Sequence, residues 1–432
     1  MTSPPPTNGP NPGPGPAPAC VASLGPVAAA PWGWGRSAAV GLTVYLLSSA
    51  VVAGGTAFGQ TYLVPRFQTA GPFGPAESGS RFMFRWDAVW YERIARDGYS
   101  YDPGRMSRVA FFPLYPLVTR GAAVGGGVPV DVAAIAVSQA SLLAALIVAA
   151  RYASIRAPAA AGLSVAALGF MPNTVFFHLP YTESLFLLLA VAFCLGIARN
   201  WHPGYLAVLA GLASASRPVG VAFAPLLFAY AVRRAGRAGG RGRALAAGCA
   251  YGAMALGGLL VYMGYQYATF GTPLAFAQTQ THWRYGAEEP FAEKLIALES
   301  LEPFWTVLDS ESPKYWRRFP PDHATAFGPL VFDRVFFCIA VAGLIVGRVA
   351  RWLNGYETVL VAELLLIPYL TRGHEMCLFS SARFVSVAVP LYLVYGTALS
   401  RVPAWAAHGL AGVGGFFLGA YAAVFVAGYL LI

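Results

Sequence analysis

Charge is scarce in this chain. Of its 432 residues only 11% are Asp, Glu, Lys or Arg, where a soluble domain carries about a quarter. Hydrophobic residues make up 57%. That balance excludes an ordinary soluble domain and points to a polytopic membrane protein. Lysine is nearly missing: only Lys294 and Lys314 stand among 29 basic residues. With the excess of Ala, Gly, Pro and Arg, this suggests a GC-rich bacterial genome. Cysteine is sparse, five residues with no C-x-x-C pair, so no disulfide framework is expected. Cys194, Cys249 and Cys338 lie in apolar runs and read as inert core residues. Nowhere does a phosphate-cradling G-x-x-x-x-G-K-[ST], a G-x-G-x-x-G or a G-x-S-x-G stand where it could act. No D-x-D appears either. A nucleotide-driven pump and a metal-dependent sugar-nucleotide transferase therefore lack support.

The net charge of +10 does not indicate nucleic acid, because the basic residues are thinly spread and form no continuous face. Residues 1–31 are rich in Pro, Gly, Ala and Ser and hold no charged side chain. They cannot bury a core, and a disordered cytoplasmic tail over 1–35 is expected. It lacks the charged and apolar regions of a cleavable signal peptide.

The remainder, 36–432, reads as a single multispan domain. A first span is predicted from about Ala38 to Phe58. Ten more follow near 131–151, 160–178, 182–199, 203–217, 218–232, 245–268, 328–347, 354–371, 383–400 and 405–431. That makes an all-α polytopic protein with about 11 spans. Two long segments, 59–130 and 269–327, separate some of them and are read as functional outer loops. If the N-terminus is cytoplasmic, the inner loops hold Arg36, Arg151, Arg156, Arg199, the run Arg233–Arg243, Arg348, Arg351 and Arg401, with Glu357 as the lone inner acid. The other loops hold the acids. The alternation follows the positive-inside rule and places 59–130 outside, at the periplasmic or extracellular face.

Five outer motifs could carry chemistry. The first is Arg85-Trp86-Asp87-Ala88-Val89-Trp90-Tyr91, within a predicted interfacial helix over Phe84–Gly98. Asp87, Trp90, Tyr91 and Ile94 share one face of that helix. Asp87 is either a surface acid paired to Arg85 or Arg93, or a general base at the membrane surface. The second runs from Asn173 to Phe186 across an outer turn and includes His178, Tyr181, Thr182 and Glu183, with Thr182 as the expected helix cap. One histidine and one acid at that spacing do not make a metal site. The third is Ser214-Ala215-Ser216-Arg217-Pro218-Val219-Gly220. The fourth runs from Phe270 to Trp283 and includes Gln278 and His282, read as a turn and a short amphipathic helix. The fifth is Ser380-Ser381-Ala382-Arg383-Phe384, preceded by Arg372, His374 and Glu375. Arg85, Arg217, Arg372 and Arg383 come from four segments. Each can snorkel, and together they can bind a lipid phosphate.

In order along the chain stand RWDAVWYERIARDGY, AFFPLYPLVTR, MPNTVFFHLPYTESLF, SASRPVG, FGTPLAFAQTQTHW and SSARFVSVAVPLYLVYG. These blocks resemble the PIG-V family, the second mannosyltransferase of GPI-anchor assembly, and especially its bacterial members. The resemblance extends from Arg81 to about Tyr395. It implies a multispan GT-C glycosyltransferase fold with interfacial helices in the first outer loop. It implies a polyprenyl-phosphate-linked sugar donor, usually mannose, and an inverting transfer that needs no metal and no cofactor. The family's acid falls on Asp87, its glutamate on Glu183, and its arginines on Arg217 and Arg383. Phe384 stands where relatives often have tyrosine.

The resulting reading is a membrane mannosyltransferase with Asp87 as base. Arg217, Arg383, Arg372 and Arg85 would lie at the donor phosphate. Trp86, Trp90, Tyr91, His178, Tyr181, Glu183, Gln278 and His282 would contact substrate. A lipid or glycan serves as acceptor, and no protein partner is indicated. The rival is a lipid or polysaccharide transporter, which calls for charges such as Asp333 and Glu363 inside the spans.

Overall fold

The computed structural model describes residues 1–3, 30–65, 79–237, 239–283, 290–306, 329–373 and 378–428. Among them the chain is helical, with no strand. Most of the disordered tail predicted over 1–35, together with His374, Glu375 and parts of both long loops, lies outside the described residues.

The first helix, α1 (Trp34–Phe58), starts four residues ahead of the predicted span. After it come α2 (Asp87–Asp97), α3 (Leu114–Gly126), α4 (Val130–Arg156) and α5 (Ala161–Phe170). The central group is α6 (Glu183–Ala198), α7 (Pro203–Ser216), α8 (Phe223–Gly236), α9 (Arg241–Ala255) and α10 (Gly257–Phe270). Three short helices lie in the second long segment: α11 (Ala275–Gln278), α12 (Phe291–Glu299) and α13 (Glu302–Trp305). The last are α14 (Pro329–Val349), α15 (Gly355–Pro368), α16 (Ser381–Ser386), α17 (Pro390–Leu399) and α18 (Ala404–Val426).

Every predicted span coincides with a helix or a broken helix pair, but their lengths differ from the expectation. Among the described residues, four stretches are long and apolar enough to cross a membrane: Trp34–Leu63, Val130–Arg156, Pro218–Gly236 and Ala404–Val426. Two bent pairs bring the number to six if each crosses once. One bends by 73° where Pro172 follows α5, and the other by 53° between α9 and α10. The helices α6 and α7, with 16 and 14 residues, fall short of the roughly 20 that a bilayer needs. Prolines at 203 and 218 bound α7, so its length is set by the missing N–H and fixed φ of the ring.

The core is formed around α4, which packs against α1, α5 and α6. Around it α7 meets α6, α9 and α10, and α18 lies along α1. The outward faces are as apolar as the inward ones. Leu46, Phe58, Val261, Leu410 and Phe416 are all exposed. Such a surface is stable only against lipid or another apolar partner. Cys194 is buried as expected, whereas Cys249 and Cys338 are exposed. They occupy the outward faces of α9 and α14, and an apolar run alone does not reveal which face is inside.

Two polar clusters lie at opposite ends of α4. At one, Ser138 bonds to Tyr115 and to the carbonyl of Tyr181. At the other, Glu357 accepts from Tyr152 at 2.6 Å and from Arg156 at 2.5 and 2.8 Å, and also completes the capping box of α15 with Asn354. Eighteen residues of helix set them roughly 27 Å apart. That is close to the hydrocarbon thickness of a bilayer, about 30 Å.

Candidate active site

Asp87 is the first residue of α2, placed there by an unusual turn. The preceding Trp86 has φ 53° and ψ −120°. A side chain in that region costs about 1–3 kcal/mol, so the surroundings must impose it. The amide groups of Ala88 and Val89 close the turn on the carbonyls of Arg85 and Trp86. From the neighbouring segment, the Tyr181 hydroxyl donates to the Arg85 carbonyl at 3.0 Å. Ala88, Tyr91, Ile94 and Ala95 form the buried face of α2.

Neither arginine expected to pair with Asp87 does so. Arg93 is exposed, and the Arg85 guanidinium lies against Gly428, just beyond α18. The partner of Asp87 is Arg383, whose Nη1 donates to Oδ2 at 2.5 Å. The same guanidinium donates from Nε to Glu183 Oε1. Arg217 Nη1 reaches that oxygen at 2.7 Å from the other side. Two acids and two arginines from four separate segments thus form one chain of contacts, Asp87–Arg383–Glu183–Arg217, whose formal charges cancel. Only one of the two acids can be reached from outside: the Asp87 side chain is 22% exposed, the Glu183 side chain 0%.

Aromatic rings enclose the guanidinium groups. Arg383 sits 4.8 Å over Tyr181. Arg217 lies 5.8 Å from the Phe186 ring and 5.4 Å from Phe384, and Arg372 lies 5.6 Å from Phe384 on its own account. Phe384 therefore orders two arginines with its ring, a task for which a hydroxyl is not required. Tyr91 and Tyr181 close the cluster from below. Burial, together with the nearby carboxylates, pushes both phenols well above their ordinary pKa, so they stay protonated and act as neither base nor anion.

Arg383 is held by Asp333, which lies outside the five motifs, and by Asn173, which opens the second of them. It sits on α16, six residues long, after a turn in which Leu378 and Ser380 both have positive φ. Asp333, on α14 and fully buried, accepts from the Ser380 amide at 2.9 Å and from the Ala382 amide at 2.7 Å. Asn173 donates to the Ala382 carbonyl at 3.1 Å. An acid followed by Arg334 within an apolar stretch was the available signal, and it was compatible with a transport pathway as well. Here both its oxygens hold backbone, which makes Asp333 a cap for the loop that carries Arg383.

Other predicted residues lie around this cluster in different surroundings. Trp90 stacks on Phe111 at 5.7 Å and meets the edge of Trp283 at 5.5 Å. Gln278 accepts from the Tyr101 hydroxyl at 2.8 Å, and His282 Nε2 is 2.8 Å from the Pro103 carbonyl. The contacts of Trp283 with Trp90, Gln278 with Tyr101 and His282 with Pro103 dock the second long segment onto the first. His178 is buried, and its carbonyl accepts from Gln139 at 2.8 Å. The expected capping bond of Thr182 is not made; its hydroxyl pairs with Ser216 at 2.8 Å and ties the Glu183 turn to the Arg217 turn. Among the described residues no group of three His, Cys, Asp or Glu side chains could hold a metal ion.

No family model and no curated protein matches the chain. Among solved structures it is similar to the oligosaccharyltransferase of Archaeoglobus fulgidus. Against the apo form the identity is 14% and the TM-score 0.46, covering 90% of this chain and 56% of that one. Against the complex of that enzyme, AglB, with an inhibitory peptide and a dolichol-phosphate, the values are 12%, 0.46, 90% and 56%. The chain spans a little over half the length of those structures. A likeness at that score does not establish a shared fold.

Proposed function

We propose that the chain is an integral membrane glycosyltransferase that moves a mannosyl unit from a polyprenyl-phosphate donor to a lipid-linked or glycan acceptor. The carrying observation is the contact chain that ends in a partly exposed Asp87. One carboxylate oxygen is held by Arg383, which fixes the orientation of the other. That oxygen, Oδ1, takes the proton of the acceptor hydroxyl. The acceptor oxygen then forms its bond to the anomeric carbon as the bond from that carbon to the phosphate oxygen breaks. The electron pair leaves with polyprenyl phosphate, and the anomeric configuration inverts. Glu183 fixes Arg217 and Arg383, so their remaining N–H groups face the site in one arrangement. Because the four charges cancel, a further positive charge for the phosphate comes from Arg85. The alternation of loop charges supports a site on the outer face of a bacterial plasma membrane. The buried pairing of Asp333 removes one of the two in-span acids on which a transport pathway would rest.

The test is a membrane assay with radiolabelled polyprenyl-phosphate-mannose and a lipid extract, comparing the native chain with Asp87→Asn. Labelled product from the native chain and none from the variant, at equal expression, is expected. Undiminished product from the variant sinks the assignment of the base. Absence of any product from the native chain, with labelled lipid crossing the membrane instead, sinks the reading as a transferase.

A further inference from the structure

The described structure also holds an apolar space outside the Asp87 contact chain. A groove of about 850 Å³ runs between α1 and α18, floored by Gly54, Gly412, Gly415 and Gly419 and rimmed by the exposed rings of Phe58 and Phe416. Its shape follows from where the glycines fall. On the inner side the two helices touch backbone to backbone: a Cβ on Gly55 would stand 2.1 Å from the Gly419 carbonyl oxygen, and one on Gly59 would stand 2.4 Å from that of Ala423. On the outer side a Cβ on Gly54 or Gly412 would meet nothing within 4 Å. The helices are thus locked together along one edge and left bare along the other.

The groove extends along α18 from Ala411 to Val424, roughly 20 Å of helix. Its mean cross-section is therefore about 40 Å², half that of a helix about 10 Å across. A single hydrocarbon chain fits this width. One turn beyond Val424 stands Gly428, and against it lies the Arg85 guanidinium, with Nε buried and without a hydrogen-bond partner. Two residues further along the chain is Asp87. An apolar trough that ends at a cation beside the exposed acid matches a long-chain lipid phosphate from tail to head.

We infer that the α1–α18 groove holds the polyprenyl chain of the donor, and that Arg85 receives its phosphate. This rests on the reading of the chain as a transferase that uses such a donor. Bulk phospholipid tails require neither the trough nor the arginine, and Arg85 is the residue that joins the groove to Asp87.

The experiment uses the full chain in nanodiscs of phosphatidylcholine with a polyprenyl phosphate that carries a photoreactive group along its chain. Crosslinks on Gly54–Phe58 or Gly412–Val424, displaced by excess polyprenyl phosphate and not by equal phosphatidylglycerol, are expected. Crosslinks elsewhere, or equal displacement by phosphatidylglycerol, overturn the inference. Because this readout is binding, it stands apart from transfer: groove labelling without sugar transfer sinks the transferase reading alone. At Gly54 and Gly412 an added Cβ meets nothing within 4 Å, so Gly54→Leu and Gly412→Leu extend into the trough from open positions. They should raise KM for a long-chain donor at least about tenfold and leave kcat unchanged, while a donor truncated to two isoprene units is handled as by the native chain. Unchanged KM for the long-chain donor in both variants also overturns the inference.

Discussion

Arg383 and Asp87, 296 residues apart in the chain, meet in a hydrogen bond of 2.5 Å, and the same guanidinium engages Glu183 on its other edge. One side chain therefore joins the start of α2 to the start of α6. The planar fork of arginine makes this possible, because Nε and Nη1 point to two acceptors at once.

Lysine at this position keeps the charge but loses the fork. Arg383→Lys should lower the transfer rate by at least about 100-fold, since Asp87 is no longer held. The folded state should persist, because Glu183 keeps Arg217. Arg383→Met should be worse in both respects. It leaves a buried acid with half its compensation, a loss of about 3–5 kcal/mol. Thermal unfolding in detergent beside the transfer rate checks both variants, and a fully active Arg383→Lys enzyme contradicts the bridging role.

The pair Glu183 and Arg217 lends itself to a double-mutant cycle. Glu183→Gln removes the carboxylate that Arg217 and Arg383 share, leaving Arg383 with Asp87, and Arg217→Met leaves Glu183 with Arg383 alone. Each alone should destabilise by about 2–4 kcal/mol. The double variant should be less unstable than the sum by at least about 1 kcal/mol, as expected for groups in direct contact. Additive losses would show that the 2.7 Å contact contributes nothing.

The sequence reading located these four residues but not their order. Asp87, Glu183, Arg217 and Arg383 were each visible as a charge at the edge of an apolar run, where only function or pairing justifies the cost. Which acid meets which arginine depends on how α6, α7 and α16 pack, and no spacing along the chain encodes that. Arg85 was the nearest cation to Asp87 in sequence, yet the turn at Trp86 carries it to Gly428. Thr182 had the right type and place for a cap, and the packing of α7 diverted its hydroxyl to Ser216. The helices themselves were legible, because long apolar stretches bounded by Pro and Arg leave few alternatives. Their kinks and shortfalls were harder to see, since α6 and α7 are as apolar as true spans and differ from them only in length.

Asp333 acts at one remove from the chemistry. Asp333→Ala removes the acceptor for two buried amide groups, at about 1–3 kcal/mol for each. Asp333→Asn keeps one acceptor oxygen and should keep most of the stability while Arg383 drifts. The expected signature is a fall in kcat of about tenfold with little change in KM for the donor, because the base is disordered and the lipid site is not. Equal falls in kcat and stability across both variants would assign Asp333 to the fold alone. Ser380→Gly should be neutral or stabilising, since glycine relieves the positive φ at that position.

At the far end of α4, Glu357 provides the contrasting case. It is buried, bonded to Tyr152 and Arg156, and caps α15, so its loss should be felt only in the fold. Glu357→Ala should destabilise by about 3–5 kcal/mol, as a broken buried pair does. Transfer per folded molecule should stay near the native level, because roughly 27 Å of helix separates it from the Ser138 end of α4. The measurement is specific activity normalised to the folded fraction, taken below the unfolding transition. A selective loss of turnover with intact stability would mean that the two ends of the bundle are coupled, and α4, which packs against α1, α5 and α6, is the element through which such coupling would pass.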